Sequence, residues 1–158
     1  MAVGFGYDIH RLAPGRRLVL GGVEIPHPAG LLGHSDGDVL LHAVIDALLG
    51  AAGLGDIGRR FPDTDPALMD VSSEVLLKRV LEEILPRWTV GNVDVTVVAG
   101  APRLAPRQEE IRRRMAAVLG TDRVNVKAKT GNGLGPEGAG EAISCHAVVE
   151  LEPGPRAG

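Results

Sequence analysis

The sequence predicts a single domain in which helices pack on a β-sheet, and three observations predict it. Several segments alternate apolar and polar residues at period two, as half-buried strands do, among them Val3, Phe5 and Tyr7, and Val93, Val95 and Val97. Three other stretches, over 39–49, 72–85 and ending near Leu119, carry apolar residues at helical spacing or on nearly every side. The chain has 158 residues, long enough to bury a core without staples, and shows neither internal repeats nor a linker to a second domain.

Composition excludes some functions. Aromatic content is 3% and the formal net charge is −3, which argues against a nucleic-acid surface of basic patches and stacking rings. There is no run of eighteen apolar residues and no basic head followed by an apolar stretch, so we expect no membrane partner and a cytoplasmic protein. Cys145 is the single cysteine and sits in an apolar run, which makes it a buried, inert thiol.

Taken in order, Val3 to Asp8 reads as a strand whose continuation sets Asp8 and His10 on one side, two residues apart. Asp-x-His at a strand end is a compact pair of metal-capable ligands. Leu18–Leu20 and Val23–Ile25 flank Gly21-Gly22, which fits a two-residue hairpin turn. Residues 26–33 form a Gly- and Pro-rich loop, after which Ser35 or Asp36 is expected to cap the next helix.

That helix, Val39 to Leu49, is apolar all round except for a line of polar groups at four-residue spacing, Asp38, His42 and Asp46. Buried polar groups need partners, since leaving one unpaired costs about 1–3 kcal/mol. Two readings stay open: Asp38 caps the first turn and Asp46 accepts from His42, or the line belongs to a metal site. Residues 53–66 hold too many breakers for a helix and carry Asp56, Asp63, Asp65 and a solitary Phe61, so they read as a binding loop.

Ser72 to Leu85 is a second helix capped by Ser72 or Ser73, and Val90 to Ala99 a strand. The segment Gly100-Ala-Pro-Arg-Leu-Ala-Pro begins a third helix to about Leu119. Val124 to Ala128 is a short strand, residues 129–140 a Gly-rich loop, and Ile143 to Leu151 closes the sheet. The domain is expected to span 1–158, with 153–158 a disordered tail.

Asp8, His10 and His42 are the right number of ligands for a zinc ion with an open fourth position, which is how a catalytic zinc is built. The Gly-rich loop with Lys129, and Gly-Ala-Pro-Arg at a helix start, are two anion-friendly segments. Together they point to metal-assisted chemistry on a phosphorylated small molecule.

The motifs carry the argument further. Gly-Tyr-Asp-Ile-His at 6–10, Gly-His-Ser-Asp-Gly-Asp-Val-Leu-Leu-His-Ala at 33–43, Leu-Gly-Asp-Ile-Gly at 54–58, Phe-Pro-Asp-Thr-Asp-Pro at 61–66, Gly-Asn-Val-Asp-Val-Thr at 91–96 and Val-Asn-Val-Lys-Ala at 124–128 occur in that order across almost the whole chain. In these the sequence resembles the 2-C-methyl-D-erythritol 2,4-cyclodiphosphate synthase family.

The resemblance implies an α+β subunit with a mixed sheet packed on helices, assembling as a homotrimer with each site between two subunits. It implies cyclisation of 4-diphosphocytidyl-2-C-methyl-D-erythritol 2-phosphate, with loss of CMP, in non-mevalonate isoprenoid biosynthesis. By the same resemblance Asp8, His10 and His42 bind Zn2+, one per subunit, and His34 and Thr130 match positions that stabilise the transition state. Ser35, Asp56, Ile57, Gly58, Phe61 and Asp63 match the methylerythritol phosphate pocket. Ala99, Pro102, Arg103, Leu104 and Ala105, with Ala128, Lys129 and Thr130, match the cytidine diphosphate pocket.

The chain departs from the family pattern in the Gly-rich loop. Asn132 stands where relatives carry a Glu that helps hold a second divalent ion, Mg2+ or Mn2+, so that site is expected to be weakened. Pro136 replaces a common aromatic, and Ala139 a common Arg that reaches phosphate. The metal triad alone would also suit a zinc phosphohydrolase, distinguished by its products; a trimeric binding protein for cytidine nucleotides or isoprenoid diphosphates is the other rival, and the intact triad with His34 and Thr130 argues against it.

Overall fold

The computed structural model describes residues 1–154. The elements are β1 (Ala2–Pro14), β2 (Leu18–Leu20), β3 (Val23–Ile25), β4 (Ala29–Leu31), α1 (Val39–Ala52), α2 (Ile57–Arg60) and α3 (Ser73–Ile84). There follow β5 (Trp88–Ala99), α4 (Gln108–Leu119), β6 (Val124–Lys129), α5 (Gly135–Gly138) and β7 (Ala142–Pro153). Five strands make one mixed sheet in the order β4-β1-β7-β5-β6, in which only β5 and β6 are parallel. With helices packed on this sheet, the subunit is α+β.

The inner face of the sheet is apolar because alternate residues of each strand turn that way: Val93, Val95 and Val97 from β5, and Ile143, Cys145, Ala147, Val149 and Leu151 from β7 are all buried. Against it lies α1, whose Val39, Leu40, Leu41, Val44, Ile45, Leu48 and Leu49 are all buried, as a helix without a polar face requires. The approach of α1 to β1 is unusually close. A Cβ at Gly6 would sit 1.9 Å from the Ala43 carbonyl oxygen, and one at Gly4 equally near that of Ala47. Glycine on the strand facing alanine on the helix is what lets the two backbones come together.

The opposite face of the sheet is different. Val3, Phe5, Tyr7 and Ile9 of β1 and Val148 of β7 are exposed, and Phe5 retains 62% of its surface. The ring of His146 on β7 stacks obliquely on Tyr7, 4.9 Å between centroids.

Several expectations are corrected. Neither Ser35 nor Asp36 caps α1; the other reading of the sequence holds, and Asp38 is the cap, accepting from Leu41 N–H at 3.0 Å and from the turn amides of Gly21 and Gly22 at 2.9 and 2.8 Å. Those two glycines both have positive φ, as a two-residue hairpin turn with right-handed strand twist needs, and Asp38 ties that hairpin to the helix. Asp46 does not pair with His42; it accepts from Ile57 N–H at 2.9 Å.

The loop after Gly53 does contain one helical turn, α2, because Asp56 caps it by accepting from Arg59 N–H at 2.7 Å. Part of the loop before His34 becomes β4, pairing with the far end of β1. The third helix starts later than expected, at Gln108 after a 3₁₀ turn over Ala105–Arg107. Pro153, expected in the disordered tail, ends β7, and Gly154 N–H donates to the Arg87 carbonyl at 2.9 Å; residues 155–158 lie outside the described residues.

Cys145 is fully buried on the inner face of β7, and burial pushes its thiol well above the usual range. We expect a thiol reagent to label it only after denaturant is added. Labelling of the native protein at the rate of a free thiol would show that β7 opens.

Candidate active site

Three side chains from two elements meet at one point. Residues 8 and 10 share the inner face of β1, and His42 comes from the second turn of α1, brought within reach by the Gly6–Ala43 contact. His10 Nε2 and His42 Nδ1 lie 2.8 and 3.0 Å from Asp8 Oδ2, and 3.3 Å from each other. Donors bound to a tetrahedral zinc at about 2.0–2.1 Å stand roughly 3.3 Å apart, so one carboxylate oxygen and two imidazole nitrogens in this triangle fit a zinc-sized ion.

Electrostatics agree with a cation site. Burial alone would raise the Asp8 carboxyl, but the hydrogen-bonding contacts and charge of His10 and His42 outweigh it and bring it down to about 2. Burial likewise lowers His10, yet the hydrogen bond and charge of Asp8 raise it overall. The Leu32 carbonyl also accepts from His10 Nδ1–H, which leaves Nε2 to face the triad.

The triad opens into a cavity of about 240 Å3, lined besides by Gly33, His34, Ser35, Ile57, Gly58, Phe61, Asp63, Leu68 and Leu76. His34 is held in the wall by the following loop: its Nε2 is 3.3 Å from the Asp65 carbonyl oxygen, and its own carbonyl accepts from Asp70 N–H. Ser35 is buried with its hydroxyl 3.0 Å from His42 Nε2. Asp56 does not line the cavity; its carboxylate is turned to the α2 amide that it caps.

The remaining predicted residues form a second cluster. Ala128 and Lys129, at the end of β6, pair with Val97 and Val98 beside Ala99 of β5, and Thr130 follows. Gly100 N–H donates to the Glu137 carbonyl at 2.8 Å, joining the 99–105 turn to the Gly-rich loop. In this cluster Arg103, Ala105, Lys129 and Thr130 are exposed, while Ala99 and Leu104 are buried and offer at most backbone atoms. None of these residues lines the metal cavity.

Residues 1–152 match the model of the YgbB family. The chain belongs to the YgbB family. It is 60% identical over 156 residues to 2-C-methyl-D-erythritol 2,4-cyclodiphosphate synthase of Syntrophomonas wolfei subsp. wolfei (strain DSM 2245B / Goettingen), covering 96% of this chain and 99% of the relative. Among solved structures it is similar to the bifunctional IspDF of Campylobacter jejuni (TM-score 0.91, 39% identity), covering 96% of this chain and 42% of that one. It is also similar to a CDP complex of IspF from Plasmodium falciparum (TM-score 0.84, 35% identity, 98% and 97% of the two chains).

In this YgbB chain four residues of the site were not legible beforehand. Leu68 and Leu76 reach the cavity from the 3₁₀ turn over Pro66–Leu68 and from α3, and neither was singled out by its sequence context. Ser73 looked like a helix cap, but Ser72 caps α3 and the Ser73 hydroxyl lies 2.9 Å from His42 Nε2. Asp36 looked like a cap for α1 and instead accepts from Ser73. A useful signal was the doubled serine, since one helix needs only one cap. Among the described residues no helix is long and apolar enough to cross a membrane.

Proposed function

We propose that this YgbB chain converts 4-diphosphocytidyl-2-C-methyl-D-erythritol 2-phosphate to 2-C-methyl-D-erythritol 2,4-cyclodiphosphate and CMP, in non-mevalonate isoprenoid biosynthesis. The observation that carries it is the Asp8–His10–His42 triangle opening into a cavity walled by Ser35, Ile57, Gly58, Phe61 and Asp63.

In this reaction an oxygen of the substrate's 2-phosphate forms the new bond to the β-phosphorus, and the bond from that phosphorus to the oxygen bridging the α-phosphate breaks, releasing CMP. The nucleophile belongs to the substrate, so the protein needs neither a nucleophile nor a strong base, and its work is positioning and charge neutralisation. Asp8, His10 and His42 hold the metal, which we take to be zinc. When bound, it acts as a Lewis acid that offsets phosphate charge. Ile57, Phe61, Leu68 and Leu76 hold the carbon skeleton and exclude water, Asp63 accepts from substrate hydroxyls, and His34 faces the phosphates.

The cytidine end belongs to the 99–105 turn and residues 128–130. These lie outside the metal cavity of the same chain, so we take the working unit to be a homotrimer in which one subunit's nucleotide cluster meets the next subunit's metal cavity. The exposed row of Val3, Phe5, Tyr7, Ile9 and Val148 supports assembly, because an apolar sheet face of this kind is normally covered.

A phosphorus NMR time course with the cytidyl diphosphate substrate, zinc and magnesium tests the activity. A cyclic diphosphate with stoichiometric CMP is expected; inorganic phosphate, or substrate that persists unchanged, would refute it.

A second divalent ion, Mg2+ or Mn2+, would find little help from this chain at the Gly-rich loop. Asn132 supplies no charge, and its side-chain oxygen is turned to the Thr130 hydroxyl, which donates to it at 3.4 Å. Asn132→Glu is therefore expected to lower the half-saturating magnesium concentration several-fold. An unchanged titration would remove the idea.

A further inference from the structure

The two histidines of the triad are oriented by different means. His10 is held from behind by the Leu32 carbonyl, a backbone acceptor that any residue at 32 would supply. His42 is held by side chains alone: its Nε2 lies 2.9 Å from Ser73 Oγ and 3.0 Å from Ser35 Oγ.

We propose that Ser73 and Asp36 are positioning residues that set the ring orientation and tautomer of His42, so that its Nδ1 lone pair is presented to the metal. This rests on the reading of Asp8, His10 and His42 as metal ligands.

A ring nitrogen that binds a cation must offer its lone pair, so the proton of the neutral ring has to sit on the other nitrogen, here Nε2, and find an acceptor. A serine hydroxyl is ambiguous, able to donate to Nε2 or to accept from it. Asp36 removes the ambiguity at Ser73. Its Oδ1 accepts the Ser73 hydroxyl proton, its Oδ2 accepts Ser73 N–H at 3.1 Å, and Oδ1 also accepts Asp38 N–H at 3.1 Å. With its proton committed to a carboxylate, Ser73 Oγ can only accept, and the ring must donate.

The relay is rigid. Ser73 is fully buried at the first position of α3, and Asp36 is anchored by two backbone amides on two segments. Ser35 carries no such commitment. Its hydroxyl lies 3.3 Å from Ser73 Oγ and accepts from Gly37 N–H at 3.4 Å, and no carboxylate takes its proton. Groups that orient a ligating histidine in this way typically change metal affinity 10- to 100-fold when removed.

The test is zinc affinity by chelator competition on the full chain, with the nitrogen-15 shifts of the His42 ring read in the metal-free protein at a pH where the ring is neutral. Ser73→Ala is expected to raise the zinc Kd about 10- to 100-fold and to lower the share of the Nε2–H tautomer in the metal-free ring in favour of Nδ1–H, for which the Asp8 carboxylate 3.0 Å away is the competing acceptor. Asp36→Asn should move both readouts the same way, because the amide no longer compels Ser73 to donate.

Ser72→Ala, which removes the true cap of the same helix, should lower Tm yet leave zinc affinity and tautomer as in wild type. Should Ser73→Ala and Asp36→Asn leave both readouts unchanged while wild type binds one zinc per chain, the relay is overturned and the ligand assignment stands. Wild type that binds no zinc overturns the ligand assignment and the relay with it.

Discussion

His42→Ala is expected to abolish metal binding and lower turnover by about a thousandfold or more while the protein still folds. The size follows from the chemistry. A metal that neutralises developing phosphate charge is worth several kcal/mol in the transition state, and each 1.36 kcal/mol is a factor of about ten in rate. Two ligands, Asp8 and His10, are left on β1, too few to hold the ion at an open site.

Folding should survive because the imidazole contributes little to the core. The Val, Ile and Leu residues of α1 are buried independently of it, and the Ser73 and Ser35 hydroxyls it leaves behind remain within hydrogen-bond reach of each other, with Ser73 also donating to Asp36. Metal content per chain, far-UV circular dichroism and turnover measured on one preparation check this. Full metal occupancy in the variant would refute the ligand assignment.

Gly6→Ala is expected to damage stability and the site together. The added Cβ would lie 1.9 Å from the Ala43 carbonyl oxygen and 2.8 Å from the Ala47 amide nitrogen, both backbone atoms of α1 that cannot rotate away. Either β1 or α1 must move, and overpacking of this kind costs roughly 1–3 kcal/mol or more. For a chain of this length that is a fall in Tm of about 3–10 °C.

The movement separates the elements that carry the ligands, since His42 adjoins Ala43 while Asp8 lies two residues beyond Gly6. Metal affinity should therefore fall in a variant that touches no ligand. Gly50→Ala is the matched control: a Cβ there meets nothing within 4 Å, and the replacement sits in the last turn of α1. It should stabilise by up to about 0.5–1 kcal/mol and leave the metal in place. Equal behaviour of the two variants would show that close backbone approach is not what builds the triad.

Much of this architecture was legible because it rests on local pattern. Alternation at 93–97 placed β5, the all-apolar run at 39–49 placed a buried helix, and Gly21-Gly22 between short apolar segments placed a hairpin whose two positive φ values only glycine adopts freely. The triad that could hold a metal was legible as well, since an Asp-x-His pair on one strand face and a histidine in a nearly all-apolar helix are anomalies that burial cannot leave unexplained.

What stayed hidden depended on partners distant in sequence. Asp38 was legible as a cap of α1 beside Ser35 and Asp36, but the choice among them depends on what else competes for each side chain: Asp36 is taken by Ser73, 37 residues away, and Asp38 also holds the Gly21–Gly22 turn. Residues 29–31 became a strand only because β1 runs on to Pro14 and offers an edge to pair with. The sequence by itself determined the principal strands and helices, the candidate metal-binding side chains and the family, because periodicity, turn chemistry and rare polar residues in apolar runs are properties of neighbouring residues. The tertiary structure alone decided that Asp8, His10 and His42 meet within 3.3 Å, and that Ser73 stands behind His42. Those distances are set by how closely α1 and α3 approach β1, and the contact at Gly6 is where that approach is made.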